Sequence, residues 1–212
     1  NVKRHAIRES PRTTRNQRDR PMKPVPAELS NKLLDAVQTA ADGPGLSMSM
    51  DSLAKASGVP RATLYYYFSG KDDLVSFYVG TMMRVMRGAI AEGLAHEGTP
   101  TQKIETIVRA VLRTFAEYPR MCVEMADAVN DLEDHAQVLA DMQVGLIIPT
   151  VGIIEAGIRS GEFEVEDPQL AVVAMTGALH QVANLDILTT GTLDAERRAD
   201  QMVPMLLKAI QP

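Results

Sequence analysis

Between Ser49 and Lys71 the chain reads Ser-Met-Asp-Ser-Leu-Ala-Lys-Ala-Ser-Gly-Val-Pro-Arg-Ala-Thr-Leu-Tyr-Tyr-Tyr-Phe-Ser-Gly-Lys, and few folds accept such a stretch. Ser49 has the hydroxyl of an N-cap, which can accept from an unpaired amide in the first turn of a helix. Leu53, Ala54 and Ser57 then fall on one helical face. Gly58 follows, where a turn between helices takes a residue free to adopt positive φ. Val59 is a small apolar plug. Pro60 suits the first turn of a second helix, where its missing N–H costs nothing. Leu64 and Phe68 are a helical turn apart and face inward, and Ala54 is small enough to let the two helices cross closely. This is the spacing of a helix-turn-helix, whose second helix enters the major groove of DNA.

Spacing alone leaves an ordinary pair of core helices as good a reading, and the polar face decides between them. The second helix offers Arg61, Thr63, Tyr65, Tyr66 and Tyr67, with Lys71 just beyond and no carboxylate between Ser52 and Gly70. Arg and Thr reach base edges, whereas the hydroxyls of Ser49 and the tyrosines, and the Lys71 ammonium, suit phosphate oxygens. Pro60 and Ala62 pack on the groove in the same reading. Successive helical side chains sit about 100° apart, so three consecutive tyrosines cannot all be buried.

These residues resemble the TetR family of one-component transcriptional regulators. The likeness is carried by Leu33-Leu34-Asp35-Ala36, by Ser49-Met50-Asp51-Ser52-Leu53-Ala54, by the run from Ser57 to Phe68, and by Lys71-Asp72-Asp73-Leu74. It covers about a quarter of the chain, and beyond it only helix count and a weak Gly161-Glu162-Phe163 and Asp167-Pro168 pattern match. Met48-Ser49 stands where the family usually has a Thr pair, Tyr67 where His is frequent, and Gly70 where Ser or Asn is frequent; none of these removes a donor. The resemblance implies an all-α fold: an N-terminal three-helix DNA-binding head and a C-terminal helical domain for ligand binding and dimerisation. It implies a homodimeric repressor, released from a palindromic double-stranded operator by a small-molecule effector. It also places the coupling between the two domains in the fourth helix, from about Lys71 to Gly93.

Composition is consistent with this. The chain has 212 residues, 45% of them apolar and 23% charged, enough for an ample core. β-Branched alternating runs are scarce, so the chain reads as all-α. Residues 1–25 carry eight cations against Glu9 and Asp19, a local excess of +6, which leaves −11 on the rest of a chain whose net charge is −5. An acidic body is repelled by DNA unless it docks through its basic end. The stretch 1–25 reads as a basic arm, either solvated or lying along phosphates or the minor groove; 26–74 reads as the head and 75–212 as the body. The arginine-rich start lacks the apolar core of a signal peptide. The apolar runs near 144–154 and 170–179 read as too short to cross a bilayer, so no membrane partner is expected. The single cysteine, Cys122, suits a reducing cytoplasm and reads as a small buried hydrophobe.

In the body, Pro100 opens a helix with Ile104, Ile107, Val108, Val111, Leu112 and Phe115 inside. A short helix is expected over 121–130, and a long one over 132–160 that Pro149 should kink. The stretch 170–188 is apolar nearly all round, and 193–210 is strongly amphipathic. Together they suggest a four-helix bundle built from two copies, with about 169–188 and 193–210 as the interface. Nine of the twelve methionines lie in this region, and adaptable side chains suit a cavity for varied apolar or amphipathic ligands. Candidate effector contacts are Phe77, Met82, Phe115, Met121, Met125 and Met142, with Thr176, His180 and Asn184 as a polar stripe. His180 reads more readily as a satisfied core or interface residue. The histidines lie in different segments, Glu133-Asp134-His135 reads as a solvated turn, and no metal spacing, cofactor motif or nucleophile with a base is legible. An enzyme is therefore not expected. The competing reading is a helical small-molecule binding protein without operator-specific regulation.

Overall fold

Side-chain caps and glycines set the helix ends. The computed structural model describes residues 23–39, 48–120, 122–123 and 140–212, with no strand among them. The head comprises α1 (Ala27–Thr39), α2 (Met50–Ser57) and α3 (Arg61–Tyr67). The body follows with α4 (Lys71–Ala95), α5 (Pro100–Glu117), α6 (Ile148–Ser160), α7 (Pro168–Thr190) and α8 (Ala195–Lys208). Ser49, Thr99, Asp167 and Asp194 accept from the backbone N–H of Ser52, Gln102, Leu170 and Arg197. Gln102 returns a bond to the Thr99 amide, completing a capping box. Gly58, Gly161 and Gly191 end α2, α6 and α7 at φ of 66°, 80° and 80°, a conformation glycine adopts without Cβ strain. The fold is the all-α arrangement expected, a helix-turn-helix head on a helical body.

Two apolar cores form among the described residues, and α4 joins them. The head core gathers Leu33, Leu53, Leu64 and Phe68 with Leu74, Phe77 and Tyr78 from the start of α4. The Tyr78 hydroxyl donates to the Leu33 carbonyl at 2.8 Å, tying α4 to α1. Further along α4, Met82 to Ile90 enter the body core with α5 and the later helices. α4 crosses α5 at Gly93, where a Cβ would lie 2.9 Å from the Lys103 carbonyl oxygen and collide with Ile107. The expected residues of α5, from Ile104 to Phe115, are all buried.

The kink expected at Pro149 takes the form of a π-helical turn, Gln143–Ile147, in which the Ile148 amide bonds the Gln143 carbonyl five residues back. The wider turn relieves the clash that a proline ring makes with the carbonyl four residues earlier. Residues 40–47, the arm up to residue 22, the helix expected over 121–130 apart from 122–123, and the 133–135 cluster lie outside the described residues.

One expectation is corrected. The apolar stretches read as too short to cross a bilayer, yet the helices Ala140–Ser160 and Pro168–Thr190 run 21 and 23 residues and contain 18-residue stretches of mean hydropathy 1.4 and 1.3, long and apolar enough by those measures. Each helix extends past its apolar run mainly through small and uncharged residues, with Asp141, Glu155 and Arg159 the charges added on the first and Asp186 on the second. The apolar side of α8, Ala199, Met202, Val203 and Leu206, is buried in the chain's own core against α5. The large exposed hydrophobics of the body lie mainly on the π turn, α6 and α7: Val144, Ile148, Leu170, Val173, Leu185 and Leu188, with Met205 the one on α8.

α7 and α8 are clamped by a two-point pair. Arg198 Nε and Nη2 donate to Asp186 Oδ2 and Oδ1 at 2.6 and 2.5 Å. The Arg198 hydrogen bonds hold the Asp186 carboxyl below its ordinary pKa. A depressed folded value means stability that is present above the unfolded carboxylate pKa and lost as pH falls through the folded one. Asp186→Asn is therefore expected to lower the melting temperature at pH 7 by a few degrees, for a loss of about 1 kcal/mol. Calorimetry at stepwise lower pH should find that gap narrowing from about pH 4 downward; a gap constant down to pH 3 would contradict the clamp.

Candidate nucleic-acid interface and apolar cavity

The turn of the head is built by local chemistry. The Ser57 hydroxyl donates to the Leu53 carbonyl at 2.6 Å, closing α2, and accepts from the Val59 amide at 3.3 Å. Pro60 at φ −57° then launches α3, with Thr63 N–H bonding the Pro60 carbonyl at 2.9 Å. Leu64 and Phe68 are fully buried, which fixes the roll of α3. Asp73 accepts from the Ser69 amide at 2.7 Å, and α4 starts directly at Lys71.

That roll leaves Pro60, Arg61, Ala62, Tyr65, Tyr66 and Lys71 exposed and Thr63 and Tyr67 half-buried. Tyr65 and Tyr66 are 50% and 60% exposed, while Tyr67 packs on the head core and meets Tyr66 edge-on at 5.0 Å. Ser49 is exposed, its oxygen already accepting from Ser52 N–H at 3.1 Å. Lys23 Nζ stands 3.4 Å over the Tyr66 ring, so the end of the basic arm lies against α3. Arg61 pairs through Nε with Asp51 Oδ1 at 2.6 Å. Sequence reasoning missed this partner because Asp51 is one residue outside the carboxylate-free span and meets Arg61 only through space.

The body holds an apolar cavity of about 60 Å³ between α4, α5, the π turn and α7. Of the residues singled out in the sequence, Phe115, Met142, Thr176 and His180 line it. Phe77 does not, because it faces the head core; Met82 packs in the body core beside the cavity rather than on it; Asn184 lies one turn beyond His180 on α7 with a buried Oδ1 that has no partner. Met121 and Met125 lie outside the described residues. Missed were Met83, Met86 and Ile90 on α4, four aliphatic residues of α5, Leu146 and Thr150, and Val172, Met175 and Leu179 on α7. Periodicity placed the α5 residues inside but carried no signal of a void beside them.

The polar groups on the cavity wall are already engaged. Thr150 and Thr176 hydroxyls donate to the Leu146 and Val172 carbonyls, each at 2.8 Å. His180 Nε2 is 2.8 Å from the Cys122 carbonyl. A carbonyl only accepts, so Nε2 carries a proton and donates, leaving Nδ1 as the ring nitrogen not used in this bond. The His180 ring meets Phe115 edge-on at 5.8 Å. Cys122 is fully buried, and desolvation pushes its thiol pKa up to about 12, so it is a protonated hydrophobe at neutral pH. Among the described residues no group of three or more His, Cys, Asp or Glu side chains is placed to hold a metal ion.

A capped helix-turn-helix on a helical body with an apolar cavity defines a class of protein, and comparison with known sequences gives the family. Residues 35–76 match the family described as bacterial regulatory proteins, tetR family, and residues 97–210 match the tetracyclin repressor-like C-terminal domain. The chain belongs to the TetR family. A curated relative, an HTH-type transcriptional regulator of Mycobacterium tuberculosis, is 30% identical over 95 residues, which is 43% of this chain and 46% of the relative. The chain thus aligns with about half the length of the curated relatives it matches. Among solved structures, the fatty acid degradation regulator FadR of Bacillus halodurans superposes with a TM-score of 0.72 at 19% identity, covering 87% of this chain and 97% of that one. The TetR family transcriptional regulator PfmR of Thermus thermophilus gives 0.71 at 21% identity over 84% and 97%. FadR of Bacillus subtilis in complex with stearoyl-CoA gives 0.69 at 19% identity over 84% and 97%. At these identities the likeness is one of fold.

Proposed function

We propose that the chain is a homodimeric transcriptional repressor of the bacterial cytoplasm. It reads a palindromic operator with α3 and is released by an apolar or amphipathic effector in the body cavity; it is not an enzyme. The observation that carries this is the single continuous helix α4, which borders both the reading head and the cavity. Arg61 and Thr63 read bases, Pro60 and Ala62 pack on the groove, and Ser49, the three tyrosines and Lys71 hold phosphates.

Phe115, Met142, Thr176 and His180 belong to the effector site, joined by Met83, Met86 and Met175. A cavity of about 60 Å³ is far smaller than the roughly 300–1,000 Å³ a ligand pocket needs. An effector must therefore push its walls apart, and Met83, Met86 and Ile90 make α4 one of those walls. Movement of α4 changes the spacing of the two heads, so effector and operator oppose each other reciprocally. Because Thr150 and Thr176 are already hydrogen-bonded, the buried part of the effector is hydrocarbon, with any polar group near His180 Nδ1. Stearoyl-CoA, held by the Bacillus subtilis FadR, is a molecule with such a hydrocarbon part.

The second copy docks on α6 and α7 rather than on α8. Leu170, Val173, Leu185 and Leu188 recur at helical spacing on one exposed side of α7. Gly177 in their midst leaves open space where a partner helix can approach closely. Charged Glu155, Arg159 and Asp186 on the same two helices disfavour lipid as the covering phase. Leu188→Glu enters a two-fold interface twice, so it is expected to weaken self-association by more than about a hundredfold. Sedimentation should then find the 23.1 kDa chain alone where the wild type runs at twice that mass, and operator binding should fall with it. A wild-type monomer, or a Leu188→Glu dimer, overturns this interface.

A further inference from the structure

Asp51 stands on the face of the head that the proposed function gives to DNA, where a carboxylate repels phosphates. The Ser49 hydroxyl supplies the N-cap of α2, and Asp51 in the first turn also suits the helix N-terminus, a role that any exposed carboxylate there fills without reaching α3. Its contact is with Arg61 at the start of α3: Asp51 Oδ1 to Arg61 Nε, 2.6 Å, both side chains more than half exposed. The Arg61 guanidinium carbon also lies 5.8 Å from the centre of the Tyr65 ring. The guanidinium thus stands near both a carboxylate and an aromatic ring, on two different helices. Arginine loses much rotamer freedom when fixed, and a side chain positioned beforehand loses less on meeting its target. Pairing through Nε also leaves the Nη1–Nη2 edge, two parallel donors, for the O6 and N7 acceptors of a guanine.

We propose that Asp51 is a specificity-determining positioning residue: its ion pair with Arg61 across the turn aims the guanidinium at one base pair, and its charge disfavours binding to phosphates alone. This rests on α3 being the recognition helix, and the test separates the two claims.

The wild-type chain is used to enrich binding sites from a randomised duplex pool, with sonicated bulk DNA as the non-specific reference, all at one salt concentration. Asp51→Asn is expected to bind bulk DNA about three-fold more tightly and to lose about three-fold of its preference at the base pair that Arg61→Ala relaxes. Asp51→Glu keeps the charge and should recover the preference. In an Arg61→Ala background, Asp51→Asn should still tighten bulk binding but leave base preference unmoved, a non-additivity that a merely structural residue does not produce. If Arg61→Ala relaxes the preference and Asp51→Asn does not, the positioning role alone is overturned. If neither relaxes it, Arg61 holds a phosphate and the positioning role falls with its base contact; if the wild type enriches no sequence, the recognition-helix reading falls as well.

Discussion

Arg61→Ala is expected to relax discrimination at one base pair of the operator by roughly 1–3 kcal/mol, between about five-fold and 150-fold, while the other positions keep their preferences. The exposed side chain takes no part in either core, so the fold is expected to survive its removal. The effect is large because a bidentate arginine contact is lost together with the satisfaction of two base acceptors. Lys71→Ala provides the contrast. It should weaken all duplexes alike and lower the log–log salt slope by about 0.9, the signature of a phosphate contact. Competition gel shifts with single-base variants of an enriched duplex measure both. Uniform weakening by Arg61→Ala, with base preference intact, would show that it holds a phosphate instead.

Leu64→Ala is expected to destabilise the head by about 2–5 kcal/mol, as truncation of a fully buried leucine does. The head and body have separate cores joined by α4, so the loss should fall on one cooperative unit. For a unit this small the head transition should drop by more than about 10 °C, while the body transition moves little. Circular dichroism melting should therefore split into two steps, with DNA binding lost at the first. A single transition, shifted as a whole, would mean that α4 couples the cores too tightly for the head to open alone.

How much was legible in the sequence depended on whether the physics was local. The N-cap Ser49, the left-handed Gly58 and the Pro60 start of α3 are written within a few residues of one another, and they emerge as read. Pro149 announced a distortion, but proline chemistry does not choose between a kink and the π turn that forms. Contacts through space left no trace. Asp51 and Arg61 are ten positions apart on separate helices, and only the turn angle brings them to 2.6 Å. Phe77 and Met83 lie close together on one helix, and only their rotation about α4 sends the first to the head core and the second to the cavity. The apolar stripe of α8 gave a direction for burial but not the identity of what covers it, and α5 of the same protomer does.

Hydroxyl-radical footprinting of the full chain on a duplex enriched from a randomised pool tests the central claim most directly. Two copies reading through α3 should protect two symmetric half-sites centred about 34–36 Å apart, one turn of the double helix or a multiple of it. A single protected patch, or protection that follows no sequence, would contradict a paired recognition helix and leave the body's cavity as the functional centre.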